Sequence, residues 1–127
     1  TEMTIDYSQI ITPEDKFNKA KEAKYQAIAS DRYANETAGI TVDNIKIKTD
    51  RESQALITGA ALQALQDSTY TCQWKTEAGF VSLTAEQIQG VAVAVRQHVQ
   101  GCFDREAVLT ELVKAATTLE ELEQIKW

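Results

Sequence analysis

Between residues 39 and 49 the sequence GITVDNIKIKT abandons helical spacing for strict alternation. Asp43-Asn44 suits a two-residue turn with positive φ. With that loop Val42 faces Ile45 and Ile40 faces Ile47. Four β-branched side chains then share one face, while Thr41 and Lys46 take the other. A lone two-stranded ribbon is not stable in water unless its apolar face is covered. Helical patterns flank this one on both sides, so the chain has to be one in which helices roof antiparallel strands.

A second ribbon follows in STYTCQWKTEAGFVSLT, residues 68–84. With Thr76-Glu77-Ala78-Gly79 as its loop, Trp74 faces Val81 and Cys72 faces Leu83, with Tyr70 on the same side. Phe80 then points outward near the tip.

The helices carry their own start signals. Thr12-Pro13-Glu14-Asp15 combines a capping hydroxyl, Pro at the first position and acids at the positive end of the dipole. It predicts a long N-terminal helix over 13–35, with a narrow, alanine-rich stripe of Phe17, Ala20, Ala27 and Ile28. So little apolar area calls for a neighbour, from the same domain or from another chain. Thr49 to Ser53 offer caps for a second helix over 51–67. Thr84-Ala85-Glu86-Gln87 reads as a capping box. It opens the longest stretch, in which Ile88, Ala92, Val95, Val99, Cys102, Leu109, Val113 and Ala116 recur at steps of three and four, with Glu106 as the polar member. Gly101 is expected to kink or break it, and Asp104 to cap the restart. Thr118 caps a last short helix carrying Leu119, Leu122 and Ile125. The fold class is therefore α+β, in the order α-ββ-α-ββ-α-α. Residues 1–12 form a leading arm and 13–127 a single domain. Two readings of the start stay open: Met3 as the natural first residue, or Thr1 and Glu2 as the end of an upstream segment.

A chain of 127 residues can bury one core without a metal or disulfide staple. The apolar share is 43% and the regular spacing argues against disorder. The net charge of −6 and the absence of a Lys/Arg cluster argue against nucleic acid and against an anionic membrane surface. Apolar runs are too short for membrane insertion and no signal peptide is read at the start, so synthesis in a cytoplasm is expected. Cys72 and Cys102 are expected as buried thiols rather than a bridge.

Several stretches invite a chemical reading. Ile57-Thr58-Gly59-Ala60-Ala61 is glycine-bearing, but a phosphate loop precedes its helix and usually brings a Lys. Here the Gly falls inside the helix, so close packing of Gly59, Ala60 and Ala61 against a sheet is expected. His98 and Cys102 lie four apart on one helical face. A zinc site needs further ligands, and a thiol nucleophile needs a base on another element. A His at the edge of the core stripe, its ring hydrogen-bonded, is the simpler reading. Asp50/Glu52 and Asp104/Glu106 each flank an Arg at an expected helix start, which makes them caps before they are acid-base pairs. No cofactor is expected. Phe80 is the exposed aromatic that hints at an interface.

Taken together, Arg51, Ile57-Thr58-Gly59-Ala60-Ala61, the Trp74 strand, VSLTAEQ (81–87), His98-Val99 and AATTLEEL (115–122) form a pattern. It resembles a phage and prophage tail-fibre-associated domain family of unknown function, over roughly residues 14 to 125. The opening MTIDYSQIITPED is similar to the start of short stand-alone phage proteins. The resemblance implies a non-enzymatic, virion-related setting and brings no catalytic residues. Arg51, Gly59, Trp74 and His98 coincide with positions assigned above to packing and capping.

The leading expectation is thus a bacteriophage tail-associated interaction module, attached to the tail fibre or baseplate or assisting fibre assembly. It would be made in the bacterial host cytoplasm, with the virion tail as a further location. A homo-oligomer, trimeric by analogy with fibres, would use Phe17, Ala20 and Ala27. The alternative is a receptor- or glycan-binding tip using Phe80 and Lys75. A small metal- or thiol-dependent enzyme built on His98 and Cys102 ranks third.

Overall fold

A computed structural model describes residues 12–127. The leading arm, apart from Thr12, lies outside the described residues. Helix α1 (Pro13–Glu36) opens as its sequence dictates: the Thr12 hydroxyl accepts from the Asp15 N–H at 3.1 Å, with Pro in the first turn. It continues to Glu36 because Thr37 closes it, donating both its N–H and its hydroxyl to the Tyr33 carbonyl.

Strands β1 (Ile40–Val42) and β2 (Ile45–Ile47) pair in the expected register, Ile40 with Ile47 and Val42 with Ile45. Asp43 and Asn44 supply the turn, with φ of 49° and 65°. Gly39 enters the hairpin at φ 91°, and a Cβ there would lie 3.1 Å from the Ile47 carbonyl oxygen. Helix α2 (Arg51–Gln66) is capped by Asp50, whose carboxylate accepts from Ser53. Strands β3 (Thr71–Thr76) and β4 (Gly79–Thr84) pair with Trp74 opposite Val81 and Cys72 opposite Leu83, again as expected. The two hairpins are separate two-stranded antiparallel sheets.

Helix α3 (Ala85–Ala115) starts with the capping box, Thr84 and Gln87 bonding reciprocally. It runs unbroken for 31 residues, about 46 Å. The expected break at Gly101 does not occur, and Asp104 is no cap: it sits mid-helix, accepting from Gln100. One exposed Gly lowers helix stability by only about 1 kcal/mol, whereas the buried Val99, Cys102 and Leu109 on either side hold the backbone to its neighbours. Helix α4 (Leu119–Gln124) is capped by Thr118. The molecule is α+β in the order α-ββ-α-ββ-α-α.

Helix α3 runs through every part of the core. Its C-terminal half packs Leu109 and Val113 against Ile28 of α1 and Leu122 of α4. Its N-terminal half packs Val91, Val95 and Val99 against Ile47 of β2 and Ile57 of α2. Ile88 closes on Leu83 of β4 and Ala64 of α2. Between the two halves lies a polar waist.

The small-residue patch of α2 needs a correction. Ala60 and Ala61 do pack against the cluster around Ala64 and Leu83. Gly59 does not: it is exposed, and a Cβ built on it would meet nothing within 4 Å. At 100° per residue, position 59 turns away from the face shared by 57, 60, 61 and 64.

Candidate functional site

Two features could carry function: the polar waist and an open groove beside β3. The waist joins Arg32, Glu36 and Gln54, which sequence reading did not single out, to Thr49 and Arg51, read as capping residues, and Glu106, read as the polar member of the core stripe. Glu36 ends α1, where the helix dipole disfavours an acid, yet its side chain has no exposed surface. Three side chains from two helices compensate. Arg32, one turn back on α1, reaches Oε1 at 2.8 Å. Arg51, the first residue of α2, makes a fork, Nε to Oε2 at 2.6 Å and Nη2 to Oε1 at 3.0 Å. Gln54 donates to Oε2 at 2.9 Å and to the Thr49 carbonyl at 2.8 Å. Arg32 also meets Glu106 of α3 at 3.2 Å and stacks over Phe103 at 4.5 Å. The buried Thr49 hydroxyl donates to the Glu36 carbonyl and accepts from Gly39.

Burial alone would raise the Glu36 carboxyl. Hydrogen bonds from Gln54, Arg51 and Arg32 outweigh it and hold the group below the ordinary carboxylate value. Two arginines and two glutamates leave the cluster neutral. Among the described residues every buried side-chain N or O atom has a partner. A carboxylate so fully donated to is a poor base, and its chemistry is that of a tie between α1, α2 and α3.

His98 and Cys102 border this waist. His98 Nε2 lies 2.9 Å from the Asn35 carbonyl oxygen, which can only accept, so Nε2 carries the proton. Cys102 is buried; burial, and then the Glu36 charge, push its thiol pKa up and disfavour the thiolate. The His98–Cys102 pair is thus turned to separate tasks. Of the paired acids, Asp50 is a cap as expected. Glu106 belongs to the waist, because α3 does not restart there.

The groove lies between α2 and β3 and has a volume of about 720 Å³. Leu56, Gly59 and Ala60 form the helical wall. Cys72, Gln73, Trp74 and Lys75 form the strand wall, and Lys48 stands at one end. The phenol of Tyr70, another lining residue, has its pKa raised by burial and by the neighbouring Cys72. Nothing in the alternation of β3 announced this site, because a period-two pattern assigns faces and is silent about edges.

The remaining sequence candidates fall in three places. Phe17 and Ala20 are partly buried against the cluster of α1, α3 and α4, so the neighbour of α1 comes from its own chain. Ala27 is exposed. Phe80 is 67% exposed, with Lys75 directly across the hairpin on the outer face. Arg51 and His98 meet at the waist, Trp74 bridges the two strand-bearing clusters, and Gly59 opens onto the groove.

Among the described residues no helix is long and apolar enough to cross a membrane. Residues 19–126 match the model of a family described as a domain of unknown function, DUF4376. No curated protein and no solved structure matches the chain.

Proposed function

The chain belongs to the DUF4376 family, and from that premise we propose that it is a non-catalytic interaction module of a bacteriophage tail. It is attached to the tail fibre or baseplate, or assists fibre assembly. The observation that carries this reading is the ordered pattern from Arg51 through Ile57-Thr58-Gly59-Ala60-Ala61, Trp74 and His98-Val99 to the AATTLEEL segment, which resembles tail-fibre-associated domains. The placement of those residues supports it. Arg51 and His98 are engaged within the fold, while the open groove at Gly59 and Trp74 has the form of a docking site rather than of a reaction centre.

Mass spectrometry of purified particles, with co-purification of the chain and a co-expressed tail fibre, tests the reading. A tail component appears in particles at a fixed ratio to the fibre. An assembly factor binds the fibre and is missing from particles. Neither outcome being found overturns the proposal.

The exposed Phe80 beside Lys75 favours a second reading, a receptor- or glycan-binding tip. Host-cell or polysaccharide binding that survives both Phe80→Ala and Lys75→Ala counts against it.

A further inference from the structure

The register of the second hairpin decides which backbone groups are unpaired. Its two-residue loop, Glu77-Ala78, makes Thr76 and Gly79 a hydrogen-bonded pair. Alternation then makes Trp74–Val81 and Cys72–Leu83 bonded pairs as well. The N–H and C=O groups of Thr71, Gln73 and Lys75 therefore point away from β4. Among the described residues no backbone bond from another element meets them.

That free edge is what faces the groove. Cys72 and Trp74 belong to one face of β3, Gln73 and Lys75 to the other, yet all four line the same space. A strand can offer both of its faces to one cavity only by presenting its edge. The opposite wall is α2, where Gly59 leaves room and Leu56, 58% exposed, offers an apolar contact.

The groove is also electrostatically distinct. Its formally charged lining residues are Lys48 and Lys75, with no acid, on a chain whose net charge is −6. A second copy pairing its own β3 edge to this one would bring the same two lysines and meet like charge. An extended segment bearing Asp or Glu meets opposite charge.

Resting on the interaction-module reading and deepening it, we propose that the β3 edge takes an extended acidic peptide segment of a partner protein as a third strand. The backbone of Thr71, Gln73 and Lys75 supplies the hydrogen bonds. Lys48 and Lys75 select the acidic side chains, and Leu56 and Trp74 hold an apolar one.

A random linear peptide library displayed and selected on the full chain tests this, with fluorescence anisotropy of the selected peptides. Enriched peptides should alternate β-branched with acidic residues. Gly59→Leu fills the groove where the free domain has open space, and Gln73→Pro removes one edge N–H at a position where a two-stranded hairpin tolerates it. Each should weaken binding by roughly tenfold or more. Ser82→Pro, the equivalent change on the outer edge of β4, should leave binding intact.

No enrichment, enrichment of basic peptides, binding unaffected by Gly59→Leu, or self-association through β3 that the same variant abolishes would each overturn the proposal. The two readings fail separately. Peptide binding with no tail association removes the tail reading alone. Tail association untouched by Gly59→Leu removes the groove as its docking site.

Discussion

At Glu36 a carboxylate with no exposed surface sits at the unfavourable end of a helix, and three donors make that tolerable. Removing its charge while keeping its shape leaves Arg32 and Arg51 facing each other. Glu36→Gln should therefore lower stability by about 3 kcal/mol at neutral pH, read by chemical denaturation. The folded carboxyl is held below its ordinary value near 4.5. Its contribution is thus present above that value and lost as pH falls through the lower folded one. Acid titration of stability should show this component in the parent and not in Glu36→Gln. The glycines make a second residue-scale contrast. Gly39→Ala should destabilise by about 2 kcal/mol, because φ is positive and the new Cβ meets a carbonyl. Gly59→Ala should stabilise by about 0.5–1 kcal/mol, since the position is helical and open. Thermal melts with opposite shifts check both. Sequence reading found the caps at Thr12, Asp50, Thr84 and Thr118, because a cap is a local event. It missed Glu36 because Arg32 and Glu36, four apart on a helix, look like any solvated ion pair until Arg51 arrives from elsewhere.

Elements were legible wherever the pattern was periodic. Both hairpins have the register that alternation dictates, down to Val42 opposite Ile45 and Trp74 opposite Val81. Gly101 misled because glycine's helix penalty is smaller than the packing of the turns around it. Helix α1 is held by few fully buried side chains. Across its 24 residues Ile28 is the buried apolar side chain and Glu36 the buried polar one. Ile28→Ala should lower stability by about 3 kcal/mol. Proteolysis should then strike first within residues 13–36, while the hairpins and α2 stay protected. Cleavage distributed evenly over the chain would show that α1 is not a separately anchored element.

At the scale of the molecule, α3 joins an all-helical end to a strand-bearing end, and the ion cluster holds them at the waist. That division explains how function is distributed. The polar groups most suggestive of chemistry hold shape, and an open groove runs along the β3 edge. The α+β class and its order were readable from period changes alone. The groove was not, since Lys48 from a loop, Leu56 and Gly59 from α2, and Lys75 from β3 meet in a way that no local pattern encodes. Hydrogen exchange of the β3 amides, followed by NMR on the free chain, tests this most directly. Thr71, Gln73 and Lys75 should exchange fast while Cys72, Trp74 and Thr76 are protected. Equal protection of Gln73 and Trp74 in the free chain would mean the edge is already covered, and the account of this surface would be wrong.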